Sequence, residues 1–241
     1  MNIKQMVALG VAIGVVAAAG TVWADGWFGW GGKKAATTST ATQTVVATPV
    51  ASPLAMMGNA LDIQPNDRVE GSMTAPITMI EYASLTCSHC GDFNKDTMPT
   101  VKKEWIATGK MKYVLRDLAW DNLAVGMAKI ARCAPQNQFN DIVDAFFSKQ
   151  QDIVLSNDPL VEIKKVAATF GLDGAKVDMC VKDAALQEQV ENSKKIAMEG
   201  LGVRGTPAIF INGTKVDGAV SYDDLKKTLD AAYAKATAVK K

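Results

Sequence analysis

The chain has 241 residues, 48% of them apolar and 21% charged, enough for one sizeable domain or for a core carrying a large insertion. Its formal net charge is +1, and no Lys/Arg stripe is interleaved with aromatics, which excludes a nucleic-acid footprint. Four cysteines and a single histidine leave redox or metal chemistry as the functions to weigh.

Lys4 precedes an uncharged, mostly apolar run from Met6 to Trp23. Residues 1–24 therefore read either as a secretory signal peptide, with Val22-Trp23-Ala24 as a loose cleavage site, or as an uncleaved membrane anchor whose Trp23, Trp27, Phe28 and Trp30 form an interfacial aromatic belt. Both readings export the remainder of the chain. Residues 25–62 are rich in Thr, Ala and Val, carry Pro49 and Pro53, and keep no sustained period, which is the composition of a linker. No internal repeat is present, so solenoid architectures drop out.

The first strand is expected at Ile77 to Ser84, a β-branched and aromatic run interrupted only by Glu81. That carboxylate either lies buried beneath a site, where desolvation raises its pKa, or faces solvent from an edge strand. Cys87-Ser88-His89-Cys90 comes next, and Gly91 to Ala107 reads as a helix with Phe93, Met98, Val101, Trp105 and Ile106 on its apolar side. The cysteines thus sit at a strand-to-helix junction. Unpaired N–H groups and the positive end of the helix dipole favour an anion there, so Cys87 should ionise readily. A stabilised thiolate is the better leaving group in disulfide exchange, which makes a Cys87–Cys90 disulfide a stronger oxidant. An imidazole at His89 can add a hydrogen bond or a positive field.

Met111 to Arg116 alternates with period two and reads as a second strand, ended by Asp117 to Asp121. A helical block comes after it, with segments at Leu123 to Ala134, Asn137 to Ser148, Pro159 to Phe170, Gly174 to Val181 and Ala184 to Glu199. Strand character returns at Ala208 to Ile211, and Asn212-Gly213 then Thr214 to Val216 predict a hairpin. Ser221-Tyr222-Asp223-Asp224 has the form of a capping box that opens a last helix with Tyr222, Leu225, Leu229 and Tyr233 on its apolar side. Before the hairpin, Gly205-Thr206-Pro207 is a place where a cis X-Pro bond can turn the Thr206 backbone towards an extended polypeptide.

Taken as a set, these pieces resemble the thioredoxin superfamily, and within it the DsbA-like thiol:disulfide oxidoreductases of the bacterial cell envelope. The resemblance is carried by Ile80 to Cys90 with Glu81 and His89 in place, by Thr206-Pro207 at the cis-proline loop, by the long helical stretch between them, and by the export segment. It implies an α/β, thioredoxin-like fold with an inserted all-helical domain: core at 63–121 and 201–241, insertion at 122–200. It further implies catalysis by Cys87, Cys90, His89 and Glu81, substrate binding by Thr206 and Pro207, no cofactor and no metal. The implied partners are unfolded or reduced exported proteins and a quinone-linked membrane reoxidase, the implied location is the periplasm, and the implied state is a monomer. Ser88 stands where the best-known oxidases have proline, and Thr206 where many have valine. A disulfide isomerase or reductase is therefore the alternative.

Cys133 and Cys180 fall in the helical block and read either as two buried thiols or as a structural disulfide, the bridge being the expectation in an exported domain. A four-thiolate zinc site from all four cysteines has the wrong spacing, since such sites show a second close pair. A chaperone module that binds without catalysing is the remaining class.

Overall fold

The computed structural model describes residues 60–216 and 221–238, so the export segment, nearly all of the linker and residues 217–220 lie outside the described residues. Five strands form one mixed sheet: β1 (Val69–Glu70), β2 (Ile77–Ala83), β3 (Met111–Asp117), β4 (Ala208–Ile211) and β5 (Thr214–Val216). Their spatial order is β1-β3-β2-β4-β5. β2 and β3 run parallel from Ile77↔Met111 to Ala83↔Asp117, while β1 on β3, β4 on β2 and β5 on β4 are antiparallel. β2 is therefore flanked on both sides, and its near-continuous apolar run is that of a strand covered on both faces.

The parallel crossover between β2 and β3 is the helix that begins at the C-x-x-C pair. It runs as α1 (Ser88–Asp92), a widened π turn at Phe93–Thr97, α2 (Met98–Val101) and a second π turn at Lys102–Ile106. The sequence pattern places the start at Gly91, but the capping position is Cys87 itself. The first widening lies next to Pro99, which has no N–H to donate and whose ring crowds the carbonyl four residues back. Gly109, at φ 71°, ends the element in the left-handed conformation that glycine adopts freely.

Between β3 and β4 lie α3 (Asn122–Cys133), α4 (Phe139–Ser148), α5 (Gln150–Val154), α6 (Pro159–Ala168), α7 (Gly174–Lys182) and α8 (Ala184–Lys195). Four of these six starts arise from capping chemistry: Asp121, Asp158, Asp173 and Asp183 each accept a hydrogen bond from a first-turn N–H of α3, α6, α7 and α8. Asn212 and Gly213, at φ 46° and 82°, make the β4–β5 turn that the Asn-Gly pair predicts. At the start of α9 (Tyr222–Ala238), Ser221 Oγ accepts from the Asp224 N–H at 3.3 Å, as in a capping box, while its own hydroxyl donates to Asp224 Oδ2 at 2.8 Å.

Strand alternation divides the core. Ile77, Met79 and Ala83 of β2, with Met111, Tyr113 and Leu115 of β3, face the cluster that includes Cys90, Phe93, Trp105 and the inner sides of α3 and α4. Ile80, Tyr82, Val114 and Phe210 face a smaller cluster with Ala197 and Val203. Glu81 belongs by parity to the first face, beneath the cysteine helix. Two buried ion pairs brace the sheet: Arg116 with Asp67 at 2.7 Å, and Arg132 with Asp117 at 2.5 Å. The second ties α3 to the end of β3.

Candidate active site

The sheet delivers Cys87 and the helix covers Cys90. Both are free thiols here, Cys87 half-buried at the N-cap and Cys90 fully inaccessible, one turn into the helix. The carbonyl of Cys87 accepts from the N–H groups of Cys90 and Gly91, each at 3.1 Å. Its sulfur donates to the Thr206 carbonyl at 3.4 Å, across 119 residues of sequence. The Thr206–Pro207 peptide bond is cis, and that turn presents the carbonyl to the sulfur.

The two sulfurs are electrostatically unlike. Hydrogen bonding from the Cys90 thiol, aided by the Thr206 side chain and the backbone N–H groups of Cys90 and His89, lowers the Cys87 pKa from 9.0 to about 5 despite partial desolvation. The Cys90 thiol moves steeply upward, because it donates to the Cys87 thiolate, is buried, and has the Glu81 charge nearby. His89 acts on Cys87 through its backbone N–H, and its side chain is exposed.

Glu81 is 2% exposed and does not face solvent. Its flanking strands β3 and β4 enclose it, and burial raises its pKa to about 7, against the lowering effect of a 2.7 Å hydrogen bond from the Tyr113 hydroxyl to Oε2. The other oxygen, Oε1, is buried with no hydrogen-bond partner. The carboxyl group therefore exchanges a proton near neutrality, and its charge acts on Cys90.

Three residues that the sequence did not single out as part of the site complete the surroundings. Gln150, 7% exposed at the start of α5, donates through Nε2 to the carbonyls of Leu85 and Cys87, both at 2.9 Å. A Cβ on Gly91 would stand 2.6 Å from Gln150 Oε1, so the glycine makes room for this link. Asp121 accepts from Thr86 Oγ1 at 2.6 Å while capping α3 through the Ala124 N–H at 2.8 Å. Trp120 donates from Nε1 to Thr206 Oγ1 at 2.9 Å. Each lies in a loop or helix start whose partner is distant in sequence, and no local pattern marks such a contact. Cys133 and Cys180 are bonded to each other, with an S–S distance of 2.00 Å and Cα atoms 6.1 Å apart. They are thus not available for a four-thiolate site with Cys87 and Cys90.

A mixed sheet of this order, a C-x-x-C pair capping the helix after the central strand and a cis-proline turn against the outer sulfur define a thioredoxin-like fold. A family model described as Thioredoxin matches residues 64–231, and the chain belongs to that family. Its structural neighbours include DsbA proteins. The crystal structure of Wolbachia pipientis alpha-DsbA1 superimposes with a TM-score of 0.71 at 30% identity, covering 75% of this chain and 98% of that one. Oxidised BdbD from Bacillus subtilis superimposes with a TM-score of 0.64 at 20% identity, covering 70% of this chain and 94% of its own, which bears on the fold alone. A Rickettsia typhi protein provisionally named a protein-disulfide oxidoreductase is 25% identical over 171 residues, 70% of this chain. The chain spans only 63% of that relative's length.

Proposed function

We propose that the protein is a thiol:disulfide oxidoreductase that donates its Cys87–Cys90 disulfide to exported proteins during their oxidative folding. The observation that carries this reading is the asymmetry of the two sulfurs: the accessible one is stabilised as an anion and the buried one is not. Of the two, only Cys87 can be reached by a substrate, and it is also the better leaving group.

In the reaction so read, a substrate thiolate attacks Cys87 of the oxidised pair, the Cys87–Cys90 bond breaks, and its electron pair leaves with Cys90. Cys90, in its buried and strongly basic position, takes a proton, and Glu81 is the group placed to supply it. The substrate's second thiolate then attacks the substrate sulfur of the mixed disulfide, and Cys87 departs as a thiolate. One disulfide has been formed in the substrate and one consumed in the protein. Thr206 and Pro207 hold the substrate backbone beside Cys87, and His89 contributes from the helix start. Cys133–Cys180 serves as a structural bond of the insertion.

The domain division accords with the same reading, with 63–121 and 201–241 as the redox core and 122–200 as the inserted helical domain. We assign the protein to the periplasm as a monomer, with residues 1–24 either removed or retained as an anchor and 25–62 as the tether. Reoxidation falls to a quinone-linked membrane partner. Among the described residues no helix is long and apolar enough to cross a membrane.

The test is the equilibrium of the Cys87/Cys90 pair with glutathione, together with oxidation of a reduced peptide substrate. A strongly oxidising equilibrium, loss of peptide oxidation in Cys87→Ser, and accumulation of a mixed disulfide on Cys87 in Cys90→Ser are the expected results. A reducing equilibrium would reassign the protein to the isomerases or reductases, and peptide oxidation that survives Cys87→Ser would exclude catalysis by this pair.

A further inference from the structure

Gln150 stands at the break between α4 and α5, within the helical segment that separates β3 from β4, yet its side chain ends on the backbone of the reactive loop. It is buried, and Nε2 donates to the carbonyls of Leu85 and Cys87, both at 2.9 Å. A primary amide nitrogen carries two hydrogens, so both are committed to these carbonyls and the side chain keeps no donor for a substrate. The reversed amide would set Oε1 against two carbonyl oxygens. Oε1 is turned instead towards Gly91, where a Cβ would stand 2.6 Å from it. Thr86, between the two clamped carbonyls, donates through Oγ1 to Asp121 Oδ2 at 2.6 Å, and Asp121 is the cap of α3. The three consecutive residues that lead to the sulfur are thus each tied to a helix start of that segment. Cys87 is held at both ends of its own backbone, since its N–H also donates to the Ser84 carbonyl at 3.0 Å.

We propose that Gln150 is a positioning residue for exchange at Cys87: its amide fixes the peptide planes on either side of Thr86, and with them the direction in which the Cys87 Cα–Cβ bond carries the sulfur. This role rests on the reading of Cys87 as the sulfur that substrate attacks, and deepens it by making the helical segment a supplier of active-site geometry. Attack on a disulfide runs along the axis of the bond that breaks, so a small rotation of the Cys87 backbone moves the reacting atoms off line. The other two parts of the site are placed independently of the clamp. Cys90 is carried by the helix, and the Thr206 carbonyl arrives with the turn before β4, 3.4 Å from Cys87 Sγ. Gln150 sets Cys87 against both. The same alignment serves the second step, in which Cys87 leaves the mixed disulfide as a thiolate.

The experiment is single-turnover oxidation of a reduced two-cysteine peptide by the oxidised full-length protein, read as the rate at saturating peptide and the concentration that gives half of it. Gln150→Met keeps the length and bulk of the side chain and removes both donors, whereas Gln150→Ala removes the bulk as well. Gly91→Ala leaves the amide in the chain and pushes it off its carbonyls. Gln150→Met and Gln150→Ala should each lower the saturated rate by about tenfold or more, with the half-saturating concentration within about twofold of wild type. Gly91→Ala should lower the saturated rate too, and the Gly91→Ala/Gln150→Ala double variant should be no slower than Gln150→Ala alone. The proposal is overturned if Gln150→Met keeps the wild-type rate, if the loss falls on the half-saturating concentration instead of the rate, if Gly91→Ala leaves the rate unchanged, or if Gly91→Ala exerts its full effect in the Gln150→Ala background. Should the wild-type pair prove reducing, the functional reading fails, while the same rate ratios, measured with the reduced protein on a disulfide peptide, still decide the role of Gln150.

Discussion

Glu81 offers a perturbation whose size and sign can be worked out in advance. Its pKa is raised from 4.5 to about 7 by enclosure between strands, with the Tyr113 hydroxyl as its one hydrogen-bond donor. Between those two values the native state binds more protons than the unfolded chain, so stability falls as pH rises through that window. At about 1.4 kcal/mol per pH unit, the cost above neutrality reaches about 3 kcal/mol. Glu81→Gln keeps an acceptor for Tyr113 and cannot ionise. With the Cys87/Cys90 pair reduced and the Cys133–Cys180 bond intact, urea unfolding at pH 8 should therefore find the variant about 3 kcal/mol more stable than wild type, and at pH 4 about equal to it. The variant should at the same time be slower in the step that releases Cys90. A stability difference that is the same at both pH values, or a variant less stable at pH 8, would refute the argument.

Three further outcomes rest on the same geometry. With Cys87 ionised above about pH 5 and Cys90 not, reduction takes up one proton between pH 5 and neutrality and two below it, so the potential should fall by about 30 mV per pH unit above the break and about 60 mV below; a redox-buffer titration showing the steeper slope up to pH 8 would place the proton back on Cys87. Replacing both Cys133 and Cys180 by Ser opens a bridge spanning 47 residues and should cost about 4 kcal/mol in chemical denaturation, with the Cys87 midpoint unchanged. Gly91→Ala drives a methyl group against Gln150 Oε1 and should cost about 1–3 kcal/mol. Adding Gln150→Ala should recover part of that loss, and two fully additive effects would mean that the collision is relieved elsewhere.

Much of this site was legible because its chemistry is local. The strand-to-helix junction at Cys87, the proline turn at Thr206-Pro207 and the Asn212-Gly213 hairpin are each specified by a few consecutive residues, and the last helix announces its start through Ser221 to Asp224. Glu81 could be placed in a strand, but its burial could not be read, because that depends on β3 and β4 closing on both of its edges. β1 is two residues long and too short to show a period. The short helix α5 has no capping signal, and Gln150 at its start reads as one more polar residue until its partners 63 and 65 positions earlier are known. Trp120 likewise finds its acceptor 86 residues onward. The pattern in sequence reports the surfaces that each element buries, whereas these contacts depend on how finished elements meet.

The carbonyl opposite the reactive sulfur lies 119 residues further along the chain. A ribosome delivers the nucleophile together with Cys90 and the helix-start N–H groups that favour its anion, then Gln150, and the turn that faces it only 119 residues later. Assembly of the binding turn beside the sulfur therefore waits for β4, and the interval is set by the length of the helical segment threaded between the two halves.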